Sequence, residues 1–515
     1  MNAECLSSSP CQSPAPTAPL KGWHALSLRR ACGAARRLTT PFADSGRATR
    51  PIAIAATFLA AALLFFSSLN IPLQEPDEVR YAEVPRQMLS GDSWLVPVLN
   101  GEPYLDKPPL TYWLVMASYE VFGVHDWSAR LVASCAAFLT VVLTWRWATS
   151  MSGPRIGLAT ALVLTLTGRF VYLARMLTPD TILCLCTVAG WTGFQLAQSA
   201  PRLRWTWLIV SAIGTGLGVM TKGPVAVVLV LAPGLLLHLL PALRGCLRFS
   251  HLAVWLGIVI GVAAPWYLVV ALREPVFLEH FFWRHNVTRF VAAFDHAEPF
   301  WFFLPGLILG TLPWCLALPA PGLKPARESA SVRDHALLLP LLAFTWTVVF
   351  FSYSASKRAG YVLPAFPPLA LMLGWACYRL SWRVPLYATA AAVFVTLLIG
   401  VHWLLPTYAA RFSLREQVNA NVADLGTDAP GVICFPRRWD SVSYYLRRED
   451  VRCYSSEQMA DMYADLLGRP ATLVFLKPGA SFDLFVDNLP PTLEFERAGK
   501  DGLAIAGWVR RVNSR

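Results

Sequence analysis

Apolar runs of about 20 residues recur along this chain between short polar connections, and no other feature constrains its fold as strongly. The first, Pro51 to Asn70, has no small-residue cleavage pattern after it and reads as a retained helix rather than a signal peptide. Further runs lie at roughly 129–149, 156–174, 178–198, 205–221, 224–243, 251–272, 299–320, 335–355, 360–380 and 384–406. At about 1.5 Å per residue each can cross the hydrocarbon of a bilayer, which makes about eleven spans. With 55% hydrophobic and 15% charged residues, and a mean hydropathy of +0.46, the chain reads as a polytopic α-helical membrane protein.

The net charge of +12 does not point to nucleic acid, because the cations sit in clusters between apolar runs instead of along one face. Arg36, Arg37, Arg47 and Arg50 precede the first run. Arg146 with Arg155, Arg202 with Arg204, Arg244 with Arg248, Lys324 with Arg327 and Arg333, and Arg379 with Arg383 mark alternate connections. Positive charge of this kind stays in the cytoplasm, so the remaining connections face outward. These are residues 71–128, Met176 to Asp180, Thr221 to Pro224, residues 273–298 and Ser354 to Tyr361. An odd span count also puts everything after residue 406 outside.

Three domains are expected on this basis. Residues 1–50 read as a disordered basic cytoplasmic tail or as translation begun upstream of the natural start. Residues 51–406 form the transmembrane domain, with outer loop 71–128. Residues 407–515 carry short β-type runs (Val432 to Phe435, Thr472 to Leu476, Leu493 to Glu496, Leu503 to Val509) and an amphipathic stretch, Ser456 to Leu467. They read as a small α/β domain with a core of its own. Most of the eleven cysteines are apolar filler. Cys434 and Cys453 fall on the outer, oxidising side, where a disulfide is open to them.

The chemistry is placed in Glu75 to Lys107, the longest acidic segment between apolar runs. Asp77, Glu78 and Glu83 lie there with Arg80 and Tyr81 among them. On spacing alone, a solvated helix held by local ion pairs explains such a cluster better than a site does. The segment then returns through Tyr104, Asp106 and Lys107 toward the apolar boundary. A cation at that depth suits a lipid phosphate, although interfacial lysines also snorkel there. Arg175 and Asp180 form a second outer corner, where Asp180 either complements a helix dipole or serves function. Lys357 and Arg358 break the positive-inside pattern, and a bound anion would account for them. Loop 273–298 holds His280, Arg284, His285, Asn286, Arg289, Asp295, His296 and Glu298. A divalent metal at His296 and Glu298 is conceivable, but no ligand spacing recurs to support it.

The segments PDEVRYAEVPRQML, GDSWLVPVLNGEPYLDKPPLTYWL, RMLTPD and SASKRAGYVLPAFPPLALML resemble the polyprenyl-phosphate-dependent membrane glycosyltransferases of the GT-C type. Within that group they are most like the bacterial lipid A aminoarabinose transferases, in a superfamily shared with the protein O-mannosyltransferases. The resemblance runs over roughly residues 51–406, and the C-terminal region matches only in kind. It implies a GT-C fold of about 11 to 13 transmembrane helices with a small C-terminal α/β periplasmic domain. It also implies a multi-pass protein of the bacterial inner membrane whose active site and C-terminus face the periplasm.

The activity implied is transfer of 4-amino-4-deoxy-L-arabinose from an undecaprenyl phosphate carrier to lipid A phosphate. Asp77 stands at the family's essential leading acid and Asp180 at its second acid. Arg80, Lys107 and Arg358 would meet the donor phosphate, and Glu78, Tyr104, Asp106 and Tyr361 the sugar and cleft. Asp106 stands where the family more often has Glu. No cofactor is required, since the lipid phosphate is already a leaving group. The partners implied are the polyprenyl phosphate sugar, lipid A or another periplasmic acceptor, and membrane lipids, with no nucleic acid. Displacement in one step would invert the anomeric centre. A related transferase passing mannose or another neutral sugar to protein or another lipid is the first rival. A lipid transporter is the second, disfavoured because no internal repeat is visible and the polar residues gather on one side.

Overall fold

The computed structural model describes residues 49–239, 246–292, 296–317, 337–379, 383–422, 430–499 and 502–512. The tail before Thr49, Arg244, Asp295 and the connection holding Lys324, Arg327 and Arg333 lie outside the described residues. The fold is mostly helical, and residues 53–515 form one compact unit.

Helix α1 (Thr49–Phe66) leads to α2 (Asp77–Ser90), whose first turn carries Asp77 and Glu78, the end at which a helix dipole favours carboxylates. A small antiparallel hairpin follows, β1 (Val98–Leu99) with β2 (Glu102–Pro103). Asn100 and Gly101 turn it with φ of 62° and 79°, as a tight Asn-Gly hairpin requires. The hairpin returns Tyr104 to Lys107 alongside α2, and α3 (Leu110–Phe122) begins just after Pro108 and Pro109.

The main bundle contains α4 (Asp126–Ser152), α5 (Pro154–Thr165), α6 (Gly168–Arg175), α7 (Pro179–Ala197), α8 (Trp205–Lys222), α9 (Val225–Leu239) and α10 (Phe249–Arg273). After a π-helical stretch, Glu279–Thr288, come α11 (Phe303–Gly310), α12 (Leu338–Tyr353), a 3-10 turn at Ala359–Ala365, α13 (Phe366–Arg379) and α14 (Arg383–Ile399). Helices α7 and α8 pack closely because glycines remove the side chains between them. A Cβ on Gly193 would lie 2.7 Å from the Trp207 carbonyl oxygen, and one on Gly214 would lie 2.9 Å from Ala189 Cβ. Buried Trp147, Trp191, Phe194 and Trp255 fill the core around this contact.

Four helical segments among the described residues are long and apolar enough to cross a membrane: Asp126–Ser152, Phe249–Arg273, Ala359–Tyr378 and Leu386–Arg411. The expected run 156–174 is two helices, α5 and α6, bent by 64°. Thr167, ahead of Gly168, takes an extended backbone there and interrupts the ladder. Pro51–Phe66, Val225–His238 and Leu338–Tyr353 are shorter apolar helices. Leu256, Ile260, Leu268, Val395 and Ile399 are exposed on α10 and α14, an arrangement stable against hydrocarbon but not water.

Past α15 (Leu405–Arg411) and α16 (Arg415–Val422), the chain forms a five-stranded mixed sheet in the order β4-β3-β5-β7-β6. The elements are β3 (Gly431–Phe435), α17 (Asp440–Leu446), β4 (Arg452–Cys453), α18 (Met459–Leu467), β5 (Ala471–Leu476), α19 (Ala480–Asp487), β6 (Leu493–Arg497) and β7 (Ile505–Arg511). The first three strands of the order pair in parallel and the others antiparallel. Val432 and Cys434 enter one core with Trp439, Val442 and Trp508, while Ile433 and Phe435 enter another with Met462 and Phe485. Both faces of β3 are covered, so it reads as a continuous apolar run instead of an alternating one. Cys434 and Cys453 are register partners on neighbouring strands, and both are free thiols.

Candidate active site

A cavity of about 720 Å³ receives residues from all six regions that the charge pattern assigns to the outer side: 71–128, 176–180, 221–224, 273–298, 354–361 and, through Tyr408, the chain after 406. None of the described residues from the arginine-marked connections lines it. Its walls carry the cations Arg80, Lys107, Arg169, Lys222, Arg289, Lys357 and Arg358 against the carboxylates Asp77, Asp106, Asp180 and Glu298. That imbalance suits an anionic ligand.

Asp77, at the start of α2, is held by the Arg358 guanidinium, with Nη1 donating to Oδ1 at 2.5 Å. Arg358 Nη2 also meets His296 Nε2 at 2.8 Å. The chain arrives there because the 354–357 corner is stitched to 296–298. The Lys357 amide donates to the His296 oxygen (3.0 Å), and Lys357 Nζ donates to the Glu298 backbone oxygen (2.7 Å). The two cations that break the positive-inside pattern therefore have protein partners as well as cavity exposure.

Asp180, in the first turn of α7, is paired with Lys222 at the C-terminal end of α8. Lys222 Nζ also sits 3.9 Å from the centre of the Tyr361 ring, a cation–π contact. Gly360 brings backbone close to this pair, since a Cβ there would lie 2.8 Å from Asp180 Oδ2. Sequence reading places Asp180 and Tyr361 but misses Lys222. The signal for it was a lone Lys before Gly223-Pro224 at the outer end of an apolar run, a second breach of the positive-inside pattern.

Lys107 Nζ donates to the Asp106 backbone oxygen at 2.9 Å. Burial pushes its ammonium down to about 8, with Lys222 and Arg289 adding to that and Asp106 and Asp180 opposing it. A cation so disfavoured gains from any anion that enters. Arg80 lines the same wall and donates from Nε to Asp440 Oδ2 at 3.1 Å. Tyr104 packs edge-on against Tyr112, which stacks with Tyr81.

Asp106 Oδ1 meets His280 Nε2 at 2.9 Å and His285 Nε2 at 3.1 Å. Burial pushes the Asp106 carboxyl up, but the imidazoles and Lys107 hold it below the usual range. Burial first, then Lys107, His280 and Arg289, push His285 down to about 4 against the pull of Asp106, so its ring is neutral near pH 7. One ligand atom from each of these three residues lies within 4.8 Å of the others. That donor set fits a divalent cation of the zinc class. His296 and Glu298 line the cavity but do not belong to this group, because His296 faces a guanidinium and Glu298 engages Lys357 through its backbone.

Glu78 is the sequence-predicted cleft residue that the structure puts elsewhere. It does not line the cavity. Its carboxylate is buried and takes two bonds from Arg130, at 2.9 and 2.7 Å. It also accepts from the amides of Gln74 (3.1 Å) and Leu177 (2.9 Å). Arg130 in turn donates to the carbonyls of Leu69, Ile71 and Pro72. Glu78 thus ties the entry to α2 and the 175–179 corner to α4. Its partner lies 52 residues away in sequence, beyond the reach of a local pattern.

A second, apolar cavity of about 560 Å³ is lined by Leu166, Pro305, Leu309, Leu312, Val393 and Leu397 among others. It shares Arg169 and Tyr172 with the polar one.

A family model described as dolichyl-phosphate-mannose-protein mannosyltransferase matches residues 106–268. The undecaprenyl phosphate-alpha-4-amino-4-deoxy-L-arabinose arabinosyl transferase 1 of Pseudomonas fluorescens (strain Pf0-1) is 33% identical over 338 residues, 63% of this chain and 58% of that protein. This chain therefore spans less than two thirds of that relative. The corresponding transferase of Enterobacter sp. (strain 638) is 29% identical over 469 residues, 85% of this chain and 80% of the relative. Among solved structures, ArnT from Cupriavidus metallidurans bound to undecaprenyl phosphate matches with a TM-score of 0.77 at 20% identity, covering 90% of this chain and 98% of that one. At that identity the likeness is one of fold: this chain has the GT-C fold of that protein.

Proposed function

We propose that this chain, which resembles the undecaprenyl phosphate aminoarabinose transferases in sequence and has the GT-C fold, is a membrane glycosyltransferase. Its reaction moves 4-amino-4-deoxy-L-arabinose from undecaprenyl phosphate to a lipid A phosphate on the periplasmic face of the inner membrane. The observation that carries this reading is the convergence of every outer connection on one cation-rich cavity that contains Asp77, Asp180, Lys107, Arg80, Arg358 and Tyr361 together.

The acceptor phosphate oxygen attacks the anomeric carbon while the bond from that carbon to the lipid phosphate oxygen breaks. Undecaprenyl phosphate leaves with the electron pair. Lys107 and Arg80, with Arg358 across the cleft, stabilise the charge that builds on the departing phosphate, in a setting where such interactions outweigh their strength in water. Asp77, fixed by Arg358, orients the acceptor, and for a hydroxyl acceptor it would take the proton. Asp180 and Lys222 hold the opposite wall, with the Tyr361 ring under the ammonium. Asp106 offers a carboxylate to the amino group of the sugar. A divalent cation held by Asp106, His280 and His285 would add positive charge beside Lys107, where the phosphate leaves.

The test is transfer in vitro from synthetic undecaprenyl phosphate aminoarabinose to lipid A by the purified full chain, with Asp77→Asn alongside. Transfer with inversion is expected, lowered at least roughly a hundredfold in the variant. Retention of configuration, or full activity in Asp77→Asn, would overturn the assignment. Mannose transfer from a polyprenyl phosphate to protein, with lipid A untouched, would establish the rival instead.

A further inference from the structure

Arg80 reaches the cavity from α2, yet the group that holds it comes from the far end of the chain. Asp440 opens α17 in the C-terminal sheet region and is 4% exposed. Its Oδ2 accepts the Arg80 Nε proton at 3.1 Å, while the Arg80 side chain keeps 34% exposure toward the cavity. We propose that Asp440 is a positioning residue for the donor phosphate, so that the C-terminal region completes a cleft otherwise built by the helical bundle. This rests on the reading of Arg80 as a phosphate ligand.

The geometry supports a purpose beyond packing. Asp77 lies three residues before Arg80 on the same helix, where a local pair could form, and both line the cavity, yet the carboxylate that Arg80 pairs with is Asp440. Asp440 engages Nε and Tyr104 also contacts the guanidinium, while the side chain stays partly exposed to the cavity, where a planar guanidinium suits a phosphate.

Asp440 is itself anchored by the docking of α17 against α2 and its approach. The Ser441 amide donates to Glu75 Oε1 at 2.6 Å. The Leu73 amide donates to Tyr445 Oη at 3.0 Å, and Tyr445 Oη donates to Asp126 Oδ2 at 3.2 Å. Ser90 Oγ meets Glu449 Oε1 at 2.6 Å. Tyr444 enters the apolar cluster of Leu73, Val79, Ala82 and Tyr119. A carboxylate fixed at this many points can hold a guanidinium in one place, as a loose surface partner cannot.

The experiment is a double-mutant cycle in the purified full chain: wild type, Asp440→Asn, Arg80→Gln and the pair, with Asp440→Glu as the charge-conserving control. Two quantities are read for each, the affinity for undecaprenyl phosphate without sugar and the split between kcat and donor KM. Asp440→Asn should weaken undecaprenyl phosphate and raise donor KM roughly tenfold, the scale of one charge-assisted hydrogen bond. Asp440→Glu should recover most of this, and in the Arg80→Gln background Asp440→Asn should add less than about twofold. Unchanged lipid phosphate affinity in Asp440→Asn, or a full additional loss on top of Arg80→Gln, would overturn the proposal. Should Asp440→Asn fail to fold, Arg80→Gln decides, since unchanged undecaprenyl phosphate affinity and unchanged donor KM in that variant would also overturn the proposal. A wild-type chain that binds undecaprenyl phosphate but transfers no aminoarabinose refutes the proposed reaction while leaving this cycle readable from binding alone.

Discussion

Lys107 lines the cavity and, among the described residues, forms no salt bridge, its Nζ donating to the Asp106 backbone oxygen. On the proposed reaction that charge would meet the donor phosphate. Lys107→Met should leave folding intact, since the stem still fills its space, and should cut undecaprenyl phosphate affinity by roughly tenfold or more. Titration calorimetry against the lipid phosphate measures it, and an unchanged affinity would make Lys107 a snorkelling residue after all. At this scale Asp77, Lys107, Asp180 and Tyr361 are legible in the sequence, because each stands in a polar motif at the end of an apolar run. Lys222 is not, because a single Lys closing a helix looks like any interfacial lysine until Asp180 is folded against it. Glu78 misleads for the opposite reason: it shares the acidic motif with Asp77, and only the fold turns it inward to Arg130.

The helices owe their placement to such inward ties as much as to apolar packing. Breaking the Glu78–Arg130 pair with Arg130→Met would strand a buried carboxylate and three backbone carbonyls. Losses of about 3–5 kcal/mol are usual when one partner of a buried pair is removed. The expected outcome is a strongly lowered thermal midpoint, accompanied by loss of transfer as α2 and the 175–179 corner come apart. A variant that stayed as stable as wild type would show the tie to be dispensable. Element boundaries repeat the same lesson. The strands at 431–435, 471–476, 493–497 and 505–511 fall where β-type residues run, and the amphipathic stretch yields α18. The two-residue β4 carries too short a pattern to be seen, and α17 announces itself only by docking. The run 156–174 has helical composition throughout, and its bend depends on one extended residue, Thr167, that hydropathy does not register.

For the molecule as a whole, charge pattern and span order locate the site better than any single motif, since the sorted outer connections are the ones that meet. What they leave out is how the C-terminal region attaches. That attachment carries a pH signature. Burial pushes the Glu75 carboxyl up to about 7 from 4.5, with Asp440 adding to it while the Ser441 contact and Arg80 oppose. Between those two values the folded chain keeps a proton that the unfolded chain gives up. This group's contribution to stability is therefore full below 4.5 and declines as pH rises to 7. Glu75→Gln keeps an acceptor for the Ser441 amide and never ionises. It should match wild type near pH 4.5 and melt higher at pH 8, as thermal unfolding across that range would reveal; equal midpoints at pH 8 would rule out the coupling.

The shared wall of Arg169 and Tyr172 between the polar and the apolar cavity bears on how a lipid can be a substrate at all. Each methylene lifted from hydrocarbon into water costs about 0.8 kcal/mol, so extracting a polyprenyl tail would exceed anything a phosphate contact returns. With one arginine and one tyrosine lining both cavities, the proposed reaction would let the tail stay against apolar side chains while only the headgroup enters the polar one. On that reading the chain would be a two-solvent reactor, in which the boundary between phases runs through the protein and the reacting bond sits beside it.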